Sequence, residues 1–161
     1  MASTGYCGAL VPELKIADIL VGTEVIGATQ RYTAGAIHSA LPFQNGAILT
    51  QDRIAQTAEE RRILRSKGAA AVEMEAAGVA ECAFSHGLPF YCVKAVTDLA
   101  HETMANDFNR ALREDGHFDT IVLLTGTLRH PFVRIPELLR LQRRCARASR
   151  ALGAFFADCR F

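Results

Sequence analysis

The sequence predicts an α/β domain with a largely parallel central sheet, and three observations lead there. Short runs rich in Ile, Val and Leu alternate with helix-forming segments through most of the chain. One of those runs, Phe90–Val96, is almost continuously apolar, as a strand buried on both faces must be. Thr57 and Glu60 stand at capping-box spacing ahead of a clean helix start.

The elements follow in order. Thr4–Ala9 holds two glycines, Gly5 and Gly8. That spacing suits a backbone approaching a ligand, and equally a tight turn with none. Ile16–Ile26 reads as one or two strands, the polar stretch Gly27–Gly46 as a loop or lid, and Ala47–Thr50 as a short strand. Behind the Thr57 cap, Glu59 and Glu60 suit the positive end of a helix that Gly68 can close. Ala70–Met74 is a short apolar run, and the helix after it ends at Gly87 and Pro89. From Pro136, placed for a first helical turn, Leu138, Leu141, Cys145, Ala148, Leu152, Phe155 and Cys159 recur in steps of three and four and make one helical stripe. Arg140, Arg143, Arg144, Arg147 and Arg150 fall mostly off it, as the solvated outer face of a helix packed on the sheet. The sharper alternative is a basic surface for an anionic membrane; without interleaved aromatics, nucleic acid is set aside.

Composition narrows the class. At 161 residues, half hydrophobic and 22% charged, the chain suits one globular domain spanning 1–161. A net charge of +1 selects no partner. No apolar run reaches the roughly 18 residues of a membrane span, and no basic-then-apolar leader opens the chain, so a cytoplasmic location is expected. The five cysteines, Cys7, Cys82, Cys92, Cys145 and Cys159, are odd in number and lack CxxC spacing, which favours free thiols over disulfides or a metal site. Cys82 and Cys92, in apolar surroundings, read as small hydrophobes. None of the five histidines is given a role, and His101 reads as a solvated loop residue.

Two further places carry chemistry. Glu73-Met74-Glu75 sets two carboxylates at a strand end where a helix begins; they can accept hydrogen bonds from a sugar diol, or only cap the helix. Thr97-Asp98 ends the buried strand, on the side where open α/β sheets bind ligands. Asp98, shielded by apolar neighbours, can serve as a general acid, or it can be an N-cap.

Ala71-Val72-Glu73-Met74-Glu75-Ala76-Ala77, His86-Gly87-Leu88-Pro89-Phe90 and Lys94-Ala95-Val96-Thr97-Asp98, in that order, closely resemble the superfamily of nucleoside phosphorylases and methylthioadenosine/adenosylhomocysteine nucleosidases. Gly5-Tyr6-Cys7-Gly8-Ala9-Leu10 resembles that family's glycine turn. The resemblance implies a three-layer α/β/α sandwich around a mixed sheet, the long last helix across one face, and a homo-oligomer, a dimer in the favoured case. It implies cleavage of the N-glycosidic bond of a purine nucleoside with no cofactor and no metal; inorganic phosphate is the co-substrate if the reaction is phosphorolysis. Asp98 would protonate or hydrogen-bond purine N7 beside Thr97, Met74 would pack beneath the ribose, and Glu75 would accept from its hydroxyls. Glu73 belongs to the same ribose-binding block. Cys7 and Gly8 would line base and sugar, and Arg53 and Ile54 would cover the base.

The chain also departs from the pattern. Members carry further strands ahead of the glycine turn, so this chain is expected to hold about the last two-thirds of the fold, with an exposed sheet edge prone to pairing. The groups that handle phosphate or water lie in that earlier part, which leaves a catalytically incompetent nucleoside-binding module as the alternative function. Tyr6 stands where Ser or Thr is frequent, Lys94 where Arg is, and Arg53-Ile54 where nucleosidases place an aromatic residue. The C-terminal stretch, with His130-Pro131 and the Arg-rich helix, looks most like hopanoid-associated phosphorylases, whose substrate is an adenosyl-lipid; the helix would then face a membrane.

Overall fold

A computed structural model describes residues 1–113, 117 and 119–161. Strands β1 (Ala2–Ala9), β2 (Ile19–Ile26), β3 (Arg31–Thr33), β4 (Gln44–Thr50), β5 (Ala71–Glu73) and β6 (Tyr91–Asp98) form one mixed sheet in the order β3-β2-β4-β5-β1-β6. The pairs β1–β6, β2–β4 and β4–β5 are parallel, while β1–β5, β2–β3 and β2–β6 are antiparallel. The last pairing sets Ile19–Val21 against Val93–Ala95 and closes the sheet on itself. Among the described residues β1, β2, β4, β5 and β6 each have a neighbour on both sides, so the open edge is that of the three-residue β3, which pairs with β2, and not one left beside β1.

Side chains alternate between the faces of each strand, and two cores follow from that period. Leu20, Val25, Cys92 and Val96 pack with Ala76, Ala80 and Ala83 of helix α2 (Ala76–Ser85). Ile19, Val21, Val93 and Ala95 pack on the opposite side with Ala148, Leu152 and Phe155 of helix α5 (Pro131–Asp158). Sheet and helices thus form the three expected layers. Helix α1 (Ala58–Arg65) covers a third cluster around Leu10, Leu49 and Val72. Its capping box is complete: the Glu60 amide donates to Thr57 Oγ1 over 3.1 Å, and the Thr57 amide to Glu60 Oε2 over 3.0 Å. Gly68 and Gly87 follow α1 and α2 with φ of 89° and 63°, conformations that favour glycine at helix ends.

Several expectations change. The glycine-bearing Thr4–Ala9 lies within strand β1 rather than in a turn. Gly27–Gly46 is neither lid nor plain loop: β3 pairs with β2, His38 bridges Arg160, and Asp158 accepts from Ser39 Oγ at 2.6 Å. Helix α5 starts at Pro131, so Pro136 lies inside it, past the first turn. Arg140, Arg143, Arg147 and Arg150 are exposed as expected, but Arg144 turns inward to grip Glu102 with Nη1 and Nη2, each at 2.7 Å. Cys82 is exposed on α2, not apolar-packed, while Cys7 and Cys92 are buried and all five thiols are free. Helices α3 (Phe108–Ala111) and α4 (Thr120–Leu128) occupy a stretch given no element above. No helix among the described residues is long and apolar enough to cross a membrane.

Two outcomes follow. Thr57→Ala removes the cap acceptor and should cost about 1 kcal/mol in urea unfolding. Partial burial opposes the Glu102 charge, yet hydrogen bonds from Arg144 and the Leu99 amide outweigh it and hold the carboxyl below its ordinary value of 4.5. A carboxyl lowered on folding stabilises above its unfolded value, and that contribution is lost as pH falls through the folded one. The Tm gap between wild type and Glu102→Gln should therefore be full above pH 4.5 and close only below it.

Candidate functional site

The C-terminal end of β6, the β5–α2 junction, the far half of β1 and the segment before α1 converge on one cavity of about 530 Å³. That volume is within the usual range for a small-molecule site. All nine residues singled out from the sequence line it: Cys7, Gly8, Arg53, Ile54, Glu73, Met74, Glu75, Thr97 and Asp98. Tyr6, Arg61, Met104, Phe108, Leu141 and Cys145 complete much of the wall.

The two carboxylates of Glu73-Met74-Glu75 divide the roles that the sequence left open. Glu73 is buried and its oxygens are taken: the Ala76 amide donates at 2.9 Å, the Glu75 amide at 3.0 Å and Thr50 Oγ1 at 2.5 Å. It thereby caps α2 from two residues ahead of the N-cap position. Lys94 Nζ, fully enclosed, sits 2.8 Å from Glu73 Oε2 as an ion pair without a directed hydrogen bond. Glu75 makes no cap bond, its side chain is 74% exposed, and Lys94 Nζ lies 3.8 Å away. One carboxylate builds the helix end and the other stays free at the cavity.

Asp98 does not sit among purely apolar neighbours. Arg61, reaching across from α1 with 1% of its side chain exposed, places Nη2 2.5 Å from Asp98 Oδ2. Thr97 Oγ1 donates to Asp98 Oδ1 at 2.8 Å. The shielding expected from hydrophobic walls is thus replaced by a guanidinium: Oδ1 accepts a hydrogen bond and Oδ2 is ion-paired. Gly8 lies flush against this pair: a Cβ there would stand 2.4 Å from Asp98 Oδ2 and 2.6 Å from Arg61 Nη1. Here the glycine is required by close approach, as a ligand-facing backbone would also demand.

Arg53 and Ile54 reach the cavity on a segment held from α3. The Ile54 amide donates to Asn109 Oδ1 at 2.8 Å and Asn109 Nδ2 donates to the Ile54 carbonyl at 2.9 Å. Arg53 itself is largely exposed, with Glu60 3.4 Å away. Tyr6 turns its hydroxyl to Ser149 Oγ of α5 at 2.5 Å. Burial first, and the nearby Asp98 charge second, push the Cys7 thiol far above its ordinary range, so Cys7 offers the cavity a neutral, unreactive wall. His101 is exposed and outside the cavity wall. Among the described residues no group of three or more His, Cys, Asp or Glu could hold a metal ion. Arg61 and Asn109 were not singled out from the sequence; both act through contacts more than fifty residues away or to backbone.

Comparison with known proteins bears on the family and the fold. The aminodeoxyfutalosine nucleosidase of Helicobacter pylori is 26% identical over 142 residues, 71% of this chain and 62% of that protein. The 5'-methylthioadenosine/S-adenosylhomocysteine nucleosidase of Anoxybacillus flavithermus is 26% identical over 142 residues, 70% of this chain and 61% of its own length. The chain therefore spans about three-fifths of these curated relatives. Among solved structures, a Helicobacter pylori nucleosidase bound to butyl-thio-DADMe-Immucillin-A superposes with a TM-score of 0.60 at 18% identity, over 97% of this chain and 67% of that one. A Campylobacter jejuni nucleosidase gives 0.56 at 21% identity, over 82% and 66%. At such identities the superpositions speak for the fold. The family model described as Phosphorylase superfamily matches residues 30–120, more than half of the sequence and the part that carries Arg53, Glu75 and Asp98. The chain belongs to the phosphorylase superfamily.

Proposed function

We propose that the cavity takes a purine nucleoside and that this chain carries the base-and-ribose side of an enzyme breaking the N-glycosidic bond. The observation that carries the reading is convergence: nine residues from separated stretches of sequence line one cavity of about 530 Å³. Glu75 is free to accept from the ribose hydroxyls, with Met74 beneath the ring and Cys7 and Gly8 beside it. Asp98 hydrogen-bonds purine N7, and Arg53 and Ile54 lie over the base. As the C1'–N9 bond breaks, its electron pair moves to the base, N7 takes the proton carried by Asp98 in its acid form, and C1' bonds to an oxygen of phosphate or of water, the water giving up a proton that restores the acid. A carboxylate near the sugar favours the cationic transition state, and a donor near N7 favours the departing base. The reading needs no cofactor or metal; phosphate enters only as co-substrate.

The test is base release from adenosine, inosine, methylthioadenosine and adenosylhomocysteine, with and without phosphate. Release is expected, and Asp98→Asn should lower it by about 10² to 10⁴ while the protein still folds. Dependence on phosphate makes the reaction phosphorolysis; independence makes it hydrolysis. A folded chain that binds nucleoside and releases no base supports the second reading, a binding module. That reading draws on Tyr6, whose hydroxyl is tied to Ser149.

The assembly belongs to the same proposal. Ile121, Leu128, Phe132 and Val133 are 74%, 65%, 94% and 60% exposed along α4 and the start of α5. Neighbouring apolar side chains so exposed are typical of an interaction surface. Sedimentation equilibrium should give a dimer; the single-chain mass would set this part aside.

A further inference from the structure

The reading of Asp98 as the group on the base leaves open what holds that carboxylate. Arg61 is among the largest fully buried side chains, and its position is set on several sides. Its Nη2 donates to the Ala55 carbonyl at 2.7 Å and lies 2.5 Å from Asp98 Oδ2; its Nη1 reaches the Ala9 carbonyl at 3.4 Å. The guanidinium is thus pinned to the backbone before α1 and to the end of β1, and it presents one nitrogen to Asp98. Thr97 takes the other carboxylate oxygen. The carboxylate is thus contacted at both oxygens, one by an ion pair and one by a hydrogen bond. Its side chain keeps 15% exposure, at the cavity.

An arginine this buried carries a desolvation penalty, and its Nε has no hydrogen-bond partner. A fold that needed only to fill this space would do so at lower cost with a leucine or methionine. The charge is retained where its one carboxylate partner faces a cavity. The neighbouring charged group Arg144 is already gripped by Glu102 and is not a substitute.

We propose that Arg61 is a positioning residue: it orients the Asp98 carboxylate toward the purine and acts on the ligand only through Asp98. This rests on the purine-nucleoside reading of the cavity. A hydrogen bond to a charged group is worth about tenfold or more in affinity, which sets the size of the effect.

The test is a double-mutant cycle read by calorimetric titration of the full chain with adenine, alongside thermal unfolding of each variant. Arg61→Met should weaken adenine binding by at least about tenfold, and Arg61→Lys, which keeps the charge without the planar fork, by a smaller factor. In the Asp98→Asn background both losses should vanish to within about twofold, because the group through which Arg61 acts is gone. A general structural role would lower affinity equally in both backgrounds, and that result overturns the proposal, as does unchanged affinity in the Arg61 variants. If Arg61→Met does not fold, the Arg61→Lys cycle decides by the same criterion. A wild-type chain that takes up no adenine overturns the purine reading and this proposal together; wild-type binding that Arg61 does not influence overturns this proposal alone.

Discussion

A lysine with no exposed surface in a closed sheet has to be neutralised, and the ion pair between Lys94 and Glu73 is the constraint around which the site is arranged. Lys94 comes from β6, the strand that closes the sheet by pairing with both β1 and β2. Glu73 comes from β5 and, in the same position, accepts from the first amides of α2 and from Thr50 of β4. One carboxylate thus joins three strands and a helix end. Removing either charge would leave the other buried and unpaired, which is far costlier than never having built the pair.

That arrangement releases Glu75. In a helix start with an ordinary N-cap side chain, the residue at the cap position is committed to the amides of the first turn. Here Glu75 occupies the cap position without a cap bond, because Glu73 already serves those amides. The short spacing Glu73-Met74-Glu75 therefore yields one structural and one free carboxylate, and the free one borders the cavity.

How much of this was legible in the sequence depends on the range of the interactions. The α1 capping box, the glycines after α1 and α2, the buried strand β6 and the stripe on α5 are local or periodic, and each reads from neighbouring residues. Strand β3 is three residues long and exists by pairing with β2, so its own residues carry no strand pattern. The β-branched run of α4 hides a helix that begins at the Asp119 side chain. At the site, Asp98, Glu75 and Met74 stand in motifs and are visible. Arg61 stands in a run of charges, Glu59-Glu60-Arg61-Arg62, that looks uniformly solvent-facing, and its burial follows only from α1 packing against the end of β1. Asn109 is hidden for the same reason: it is an ordinary helix residue until the Arg53–Ala55 segment lies beside it.

The two buried cations then give the cavity its electrostatic character. Lys94 and Arg61 are each matched by a carboxylate, Glu73 and Asp98, so neither offers an unpaired positive charge to a ligand. What remains is the exposed Glu75, 3.8 Å from Lys94 Nζ, the cavity-facing edge of Asp98, and the largely exposed Arg53, 3.4 Å from Glu60. Such a lining favours a ligand that gains positive charge beside Glu75 and takes up a proton beside Asp98. A nucleoside losing its base has that distribution, with positive charge developing on the sugar and a proton arriving at N7. The pairing of the cations is therefore as much a part of the proposed chemistry as the carboxylates that would touch the substrate: unpaired, either would stand against the charge that the sugar must acquire.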